Sequence, residues 1–244
     1  MSGSITLENR FGVNKMELIS LKYAIFVIVL LVLYYCFPKK YRWYVLLAGS
    51  MAYYVIICKW YVLFIIFTIC TTYGSTIWID KLLKEQNAIV KSHKEDWDRQ
   101  TRKEYKEKGR KKRVAVMLFA LLCNFGILAF LKYIPYAGEL GLLLPLGISF
   151  YTFQSMGYVM DVYREIVEPE KNFLKVALFV SFFPQIIQGP IAIYDKLAGQ
   201  LYEGHSLRLE NLQKGALLVL WGVIKKLVIA DRAVNIINFV MDKP

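Results

Sequence analysis

Polar side chains occur at helical spacing inside two uncharged segments of the chain. The first set is Ser149, Tyr151, Gln154 and Tyr158, and the second set is Gln185 and Gln188. Residues three or four positions apart lie on one face of a helix, so most members of each set would point the same way. Such a face can bind a polar ligand, or it can hydrogen-bond to a neighbouring helix. We expect the group as a whole to line a substrate cavity.

Few residues could serve as a base, a nucleophile or a metal ligand. His93 lies in a charged stretch and is expected to be solvated, and His205 lies in the polar stretch 202–206. Ser149 has no His or Asp neighbour in sequence with which to form a catalytic triad. The four cysteines lie in apolar runs without CxxC spacing, namely Cys36, Cys58, Cys70 and Cys123. This pattern favours buried apolar side chains, so we predict neither a disulfide framework nor a metal site.

The composition predicts a membrane protein. Of the 244 residues, 57% are hydrophobic and 15% are aromatic, and the mean hydropathy is +0.39. A soluble domain averages about 45–50% apolar residues, and the 20% of charged residues here are concentrated in short stretches. These values exclude a soluble enzyme, a disordered chain and a disulfide scaffold. We predict an all-α polytopic integral membrane protein, a helical bundle with broken or re-entrant helices.

Uncharged runs predict where the chain crosses the bilayer. A spanning helix needs about 20 predominantly apolar residues. Four segments come close to this requirement, at about 18–37, 43–58, 60–79 and 114–131. A further membrane segment is predicted at about 215–230. Within it, Lys225 and Lys226 are expected to bind lipid headgroups or the phosphate groups of a ligand.

Two other uncharged segments, 140–160 and 176–194, would make poor lipid-facing helices. They contain residues expected to shape the backbone, namely Pro145, Gly147, Pro184, Gly189 and Pro190. Irregular backbone is tolerated at membrane depth only where protein buries it or where it lines a cavity. The two segments are therefore predicted to form a broken or re-entrant region, and ordinary Pro-kinked helices are the alternative.

Half of the net charge of +12 comes from one stretch. Residues 80–113 contain thirteen Lys or Arg and seven Asp or Glu, a net charge of +6. Because basic loops stay on the cytoplasmic side, this stretch is predicted to be a cytoplasmic loop, with the N-terminus outside. The partner implied is the anionic lipid bilayer. Nucleic acid is not expected, since only Trp97 and Tyr105 place aromatic rings among the charges.

Four sequence blocks resemble motifs of the membrane-bound O-acyltransferase family, and they occur in the family's order. The blocks are residues 144–154 (LPLGISFYTFQ), 158–164 (YVMDVYR), 180–191 (VSFFPQIIQGPI) and 222–232 (GVIKKLVIADR). They are most similar to the bacterial branch that O-acetylates alginate and other exopolysaccharides. The spans before residue 140 and the charged loop also resemble the family's layout.

The resemblance implies transfer of an acyl group, acetyl in this branch, from a cytoplasmic thioester donor to a hydroxyl of a cell-envelope or extracellular polysaccharide. Acetyl-CoA or an acyl carrier would be the donor, accessory cell-envelope acetylation proteins would be partners, and no cofactor would be bound permanently. The location implied is the bacterial plasma membrane. A sister branch transfers D-alanine to teichoic acid from a carrier protein, and that reaction is the alternative.

The family's catalytic histidine lies in membrane segments after the last of the four blocks. Neither His93 nor His205 occupies that position, so the histidine is expected beyond Pro244. The resemblance therefore implies an N-terminal portion that carries no catalytic residue and is inactive by itself. The alternatives from another class are a non-catalytic membrane scaffold and a transporter. A transporter would be built from two related halves, and no internal repeat is visible.

Overall fold

The computed structural model of the protein describes residues 21–93, 96–133, 145, 147–188, 191–230 and 232–233. These residues form helices and no strand. The α-helices are Leu21–Cys36 (α1), Arg42–Cys58 (α2), Val62–Ser92 (α3), Arg99–Tyr133 (α4), Ile148–Tyr163 (α5), Phe173–Ser181 (α6), Phe183–Gln188 (α7), Tyr194–Tyr202 (α8) and Leu209–Ile224 (α9). Short 3₁₀ turns, Lys39–Tyr41 and Lys59–Tyr61, precede α2 and α3, and a π-helix, Lys225–Ala230, follows α9. The predicted all-α fold is confirmed.

Two helical stretches in the described part of the chain are long and apolar enough to span a membrane. They are Lys39–Ser92, which contains α2 and α3, and Arg99–Tyr133, which is α4. The α1 helix is a shorter apolar helix. Large apolar side chains cover the outside, for example Phe119 and Leu122 of α4, which are 65% and 73% exposed. Together with the composition, this outward apolar surface is that of an all-α membrane protein.

The core lies where α2, α3, α4, α5 and α6 meet. The α3 helix packs along α4 and α5, and α6 packs against both α2 and α3. Fully buried side chains fill the contacts, including Tyr53 and Tyr54 of α2, Ile65 and Ile69 of α3, and Phe179 of α6. The core thus encloses the inward face of α5, the helix that carries four of the six polar residues that the sequence singles out.

The basic segment 80–113, predicted as a cytoplasmic loop between two spans, is mostly helical. The α3 helix continues to Ser92 and α4 begins at Arg99, so only six residues separate the two helices. Glu, Lys, Gln and Arg are good helix formers, and pairs four residues apart, such as Lys84 with Asp80, add local stability. Charge counting located the segment but did not reveal its helices. Its cytoplasmic location stays a prediction.

Most of the predicted spans lie within single helices. The α2 helix contains 43–58, α4 contains 114–131, and α3 contains most of 60–79. The α2 helix ends because Lys59 takes φ 47° and ψ −119°, outside the helical region. The span predicted at 18–37 begins outside the described residues, and α1 forms its described part.

The second irregular segment, 176–194, is broken in the structure. Phe182, with φ −59° and ψ 104°, leaves the helical region and separates α6 from α7. Pro184 favours this break, because it has no N–H to donate to the carbonyl four residues earlier. Gly189 and Pro190 lie outside the described residues.

The first irregular segment, 140–160, is described only in part. Residues 140–144 and 146 lie outside the described residues, and from Ile148 onward α5 runs without a break. The segment predicted at 215–230 is formed by α9 and the π-helix. No residue of either element is buried.

Candidate functional site

A glycine sets the start of α5 and its distance from α7. Gly147 has φ 70°, a left-handed conformation that residues with a side chain rarely adopt. A Cβ atom at this position would overlap the side chain and the carbonyl oxygen of Ile186 in α7. The carbonyl oxygen of Pro145, which is buried, accepts a hydrogen bond from the Ile148 N–H (3.3 Å). Pro145 and Gly147 therefore shape the backbone where α5 begins.

Tyr151, Gln154 and Tyr158 share the inward face of α5. Their side chains are 1%, 3% and 1% exposed. The Gln154 amide donates a hydrogen bond to the carbonyl oxygen of Phe179 in α6 (2.8 Å). The Tyr158 hydroxyl accepts a hydrogen bond from the Glu170 N–H (2.8 Å). Gln154 and Tyr158 thus link α5 to other parts of the bundle through hydrogen bonds to backbone groups, and Tyr151 makes no such bond.

The hydrogen bond from Gln154 compensates for the break between α6 and α7. In an unbroken helix the carbonyl of Phe179 would accept from the N–H of Phe183, four residues later. That N–H instead donates to the hydroxyl of Ser50 in α2 (3.4 Å). The α2 and α5 helices thus supply partners that the broken helix lacks. Such partners are needed because an unpaired backbone group is costly at membrane depth.

Five buried hydroxyl groups form no hydrogen bond of standard geometry with the described residues, and we call them the unpaired hydroxyls. They belong to Tyr53 and Tyr54 of α2, Tyr151 and Ser155 of α5, and Ser181 of α6. The rings of Tyr54 and Tyr151 meet edge to face, with their centroids 6.2 Å apart. Ser155 follows Tyr151 by one helical turn and lies on the same face. A buried hydroxyl without a partner costs about 1–3 kcal/mol, so this interior is suited to a polar ligand or to water.

Hydroxyl groups on α3 differ because they bond within their own helix. The Thr72 hydroxyl donates to the Thr68 carbonyl (2.6 Å), and the Thr76 hydroxyl donates to the Thr72 carbonyl (2.9 Å). The Ser75 hydroxyl also donates to the Thr72 carbonyl (3.1 Å). These side chains need no ligand, so the unpaired hydroxyls of α2, α5 and α6 are the better candidates for substrate contacts.

Three other predicted cavity residues lie at the start of α5 and on α7. Ser149 is half-buried on the first turn of α5. Gln185 is half-buried, and its side-chain oxygen Oε1 is buried without a partner among the described residues. Gln188 is the last residue of α7, and its side chain lies outside the described residues. Gln185 is therefore a second candidate for a ligand contact.

The structure does not pack Lys225 or Lys226 into the core. Lys225 is exposed, and its Nζ lies 5.3 Å from the centre of the Trp221 ring. Lys226 is half-buried. Both lysines belong to the π-helix that follows α9, and neither element has a buried residue. A role in binding headgroups or donor phosphates stays a prediction.

Both histidines lie at the surface and make local contacts. The His93 ring stacks on Trp97, with centroids 4.8 Å apart. The His205 Nε2 lies 2.9 Å from the Gln200 carbonyl oxygen, and the His205 N–H donates to the Tyr34 hydroxyl (3.3 Å). Neither ring bonds to an unpaired hydroxyl. Within the described ranges, no group of three or more His, Cys, Asp or Glu comes together as metal ligands.

Charged and polar contacts join the elements at the end of the bundle where α5 ends. The Arg113 Nη1 lies 2.8 Å from the Glu165 Oε1, which links α4 to the chain that follows α5. The Lys175 Nζ lies 3.5 Å from the Glu170 Oε2. Burial raises the pKa of the Tyr202 phenol. The phenol therefore stays protonated and donates a hydrogen bond to the Lys175 carbonyl (2.8 Å).

Sequence reasoning missed four of the five unpaired hydroxyls. Ser155 could have been found, because it lies one helical turn after Tyr151. Ser181 lies inside the 180–191 block, where Pro and Gln residues form the recognisable pattern and a single serine does not stand out. Tyr53 and Tyr54 lie in an ordinary uncharged span, and no feature of their spacing marks them as buried.

The fold and the buried polar groups define an all-α membrane protein with hydroxyl groups in its interior. The chain is similar to bacterial O-acetyltransferases that act on polysaccharides. It is 31% identical to the peptidoglycan O-acetyltransferase of Helicobacter pylori over 165 residues, 52% of this chain and 31% of that protein. It is 42% identical to the probable alginate O-acetylase AlgI of Pseudomonas syringae over 89 residues, 36% of this chain and 17% of that protein. It is 38% identical to the probable AlgI of Pseudomonas aeruginosa over 90 residues, 37% of this chain and 17% of that protein.

The similarity covers only part of each protein. The chain spans less than a third of the length of these curated relatives. No protein-family model matches the chain, and no solved structure matches it. The resemblance to O-acyltransferases of the alginate-acetylating type, predicted from the four blocks, is confirmed by these relatives.

Proposed function

We propose that this chain forms part of a membrane-bound O-acyltransferase. The reaction moves an acetyl group from a thioester donor to a hydroxyl of a cell-envelope or extracellular polysaccharide. The observation that carries the proposal is the similarity to proteins named as O-acetyltransferases of peptidoglycan and alginate. The unpaired hydroxyls support it, because polar groups buried without partners are expensive unless a ligand or water satisfies them.

The chemistry needs few groups, because a thioester is already activated. The acceptor oxygen attacks the thioester carbonyl carbon, the C–S bond breaks, and an ester and a thiol form. A base takes the acceptor proton, and hydrogen-bond donors stabilise the oxyanion of the intermediate. The Tyr54 and Tyr151 phenols are buried donors in apolar surroundings. We assign to them the binding of the acceptor hydroxyl or of the oxyanion.

The base is not assigned to a residue of this chain. His93 and His205 are both exposed, and both make local contacts away from the unpaired hydroxyls. The prediction that residues 1–244 alone do not transfer an acyl group stays a prediction.

The two sides of the membrane have different roles in this proposal. The basic ends of α3 and α4 face the cytoplasm, where acetyl-CoA or an acyl carrier delivers the acetyl group. The N-terminus lies outside, and the chain crosses the bacterial plasma membrane several times. The polysaccharide acceptor and accessory cell-envelope proteins meet the enzyme from the outer side.

Deletion of the gene is expected to remove O-acetyl esters from an envelope polysaccharide. Mild alkali releases ester-linked groups from the purified polymer, and chromatography separates acetate from D-alanine. Restoring the deleted gene should restore acetate, and expressing residues 1–244 alone should not. If the deletion strain loses D-alanine instead of acetate, the reaction is D-alanyl transfer and not acetyl transfer. Unchanged ester content in the deletion strain would contradict the enzyme and favour a membrane scaffold.

A further inference from the structure

A row of positive charges on α4 supplies no group to the bond-making and bond-breaking steps of the proposed reaction. Six cations and one acid line a single groove with a volume of about 480 Å³, namely Arg99, Arg102, Lys103, Lys106, Arg110, Arg113 and Glu107. The cations are spaced three, four and seven residues apart, so they lie on one face of the helix. We call this face the basic groove.

The basic groove lies on the side of α4 that faces the bundle. Lys106, Arg113 and Ala120 follow one another at seven-residue intervals, about two helical turns, so they share a face. Ala120 is 1% exposed and Arg113 is 9% exposed, which shows that this face turns toward the core. Leu118, which is 48% exposed, marks the outer side, and Lys111 lies two turns before it. Arg113 therefore faces the core, and the exposed cations before it continue along the same side of α4.

The backbone under the groove is held in place by α3. The Gln86 amide donates a hydrogen bond to the Lys106 carbonyl (2.9 Å), and Gly109 approaches the Gln86 side chain closely. Arg113 bonds to Glu165 at one end of the groove. Lys103 and Lys106 are exposed and form no ion pair with any residue that the structure describes. The groove is thus a fixed row of charges that are only partly neutralised.

The reach of the groove separates it from the bilayer surface. Fourteen residues separate Arg99 from Arg113, which corresponds to about 21 Å along the helix axis. The headgroup layer on each side of a bilayer is only about 5–8 Å thick. If Arg113 lies at the membrane boundary, most of the groove lies in water beyond the headgroups. Lipid headgroups would neutralise only the end nearest to Arg113.

We propose that the basic groove binds the phosphate groups of a soluble phosphorylated ligand. Arginine guanidinium groups bind phosphate oxygens through two parallel hydrogen bonds, and lysine adds a point charge. Several cations in a row match a ligand with more than one phosphate group, such as a diphosphate ester. The inference rests on the proposed function in one respect, that a CoA thioester is such a ligand, but the binding itself is measured without acyl transfer.

Binding is tested with the chain in nanodiscs of zwitterionic phosphatidylcholine, by isothermal titration calorimetry with coenzyme A and with inorganic pyrophosphate. The Lys103→Glu/Lys106→Glu variant should weaken the binding of both probes by at least about tenfold. The Lys108→Glu/Lys111→Glu variant is the matched control, because it has the same charge change and spacing on the outer side of α4. It should change the Kd by less than about twofold.

Three results would overturn the proposal. The first is that coenzyme A or pyrophosphate fails to bind the unsubstituted chain at about 0.15 M salt. Equal loss in both double variants would mean that net charge alone attracts the probes. Binding only to phosphatidylglycerol vesicles, lost in the outer variant, would make the site a headgroup contact. If circular dichroism shows that the glutamate variant does not fold, Lys103→Gln/Lys106→Gln replaces it and should still weaken both probes.

Discussion

Replacing Gly147 by alanine is expected to lower the free energy of unfolding by about 2–5 kcal/mol. The backbone of Gly147 has φ 70°, which is unfavourable for any residue with a Cβ atom. That Cβ would also overlap Ile186 and push α7 away from the start of α5. Thermal unfolding in detergent, followed by circular dichroism, measures the loss.

Gly157→Ala is the matched control for this prediction. Gly157 lies in the middle of the same helix, and a Cβ added there would have no neighbour within 4 Å. Alanine in a helix interior should raise stability by about 0.5–1 kcal/mol relative to glycine. Equal effects of the two substitutions would show that the left-handed turn and the contact with Ile186 do not restrict α5.

Replacing Gln154 by leucine is expected to lower the free energy of unfolding by about 1–3 kcal/mol. The substitution keeps most of the side-chain volume. It removes the Gln154 amide of α5, which is the donor from another helix that the structure describes for the Phe179 carbonyl. That carbonyl is buried at the end of α6, where the helix is broken and the Phe183 N–H donates to Ser50 instead. The measurement is thermal unfolding in the same detergent.

Tyr151→Phe is the control on the same face of α5. Tyr151 is as deeply buried as Gln154, but its hydroxyl, which meets the Tyr54 phenol, forms no hydrogen bond of standard geometry with the described residues. Removing an unpaired buried hydroxyl should leave stability unchanged or raise it. A loss as large as that of Gln154→Leu would mean that the Tyr151 hydroxyl has a structural bond, and it would remove the reason to treat it as a ligand contact.

Helical spacing predicted correctly which residues share a face, but it did not predict what each one does. Tyr151, Gln154 and Tyr158 all lie on the inward side of α5. Their roles diverge because their neighbours come from distant parts of the chain. Gln154 meets Phe179, and Tyr151 meets Tyr54, nearly a hundred residues earlier. Spacing within one helix carries no information about such partners.

Charge patterning located the basic segment 80–113 but not its form. The cations and acids that define it are also good helix formers, so α3 and α4 extend through most of it. In a continuous helix, residues at helical spacing lie on one face. The cations of the basic groove therefore lie on the same face of α4 as Arg113 and the buried residues that follow it. A count of charges cannot show that direction, since it depends on how α4 packs against α3 and α5.

The broken segment was more predictable because its cause is local. Proline cannot donate the backbone hydrogen bond that a helix requires, so Pro184 predicts an interruption nearby. The structure places that interruption at Phe182. The partners that compensate for it, Gln154 and Ser50, come from α5 and α2 and depend on the tertiary fold.

In the proposed function, hydroxyl groups buried between α2, α5 and α6 take part in O-acetyl transfer. The most direct measurement is the ester-linked acetate of the envelope polysaccharide from cells whose protein carries Tyr151→Phe. Tyr133→Phe, at a tyrosine that is 71% exposed, is the control. We predict that Tyr151→Phe lowers acetate by at least about tenfold, with the amount and thermal stability of the protein unchanged. Acetate at the level of the Tyr133→Phe control would show that the Tyr151 hydroxyl takes no part in acetyl transfer.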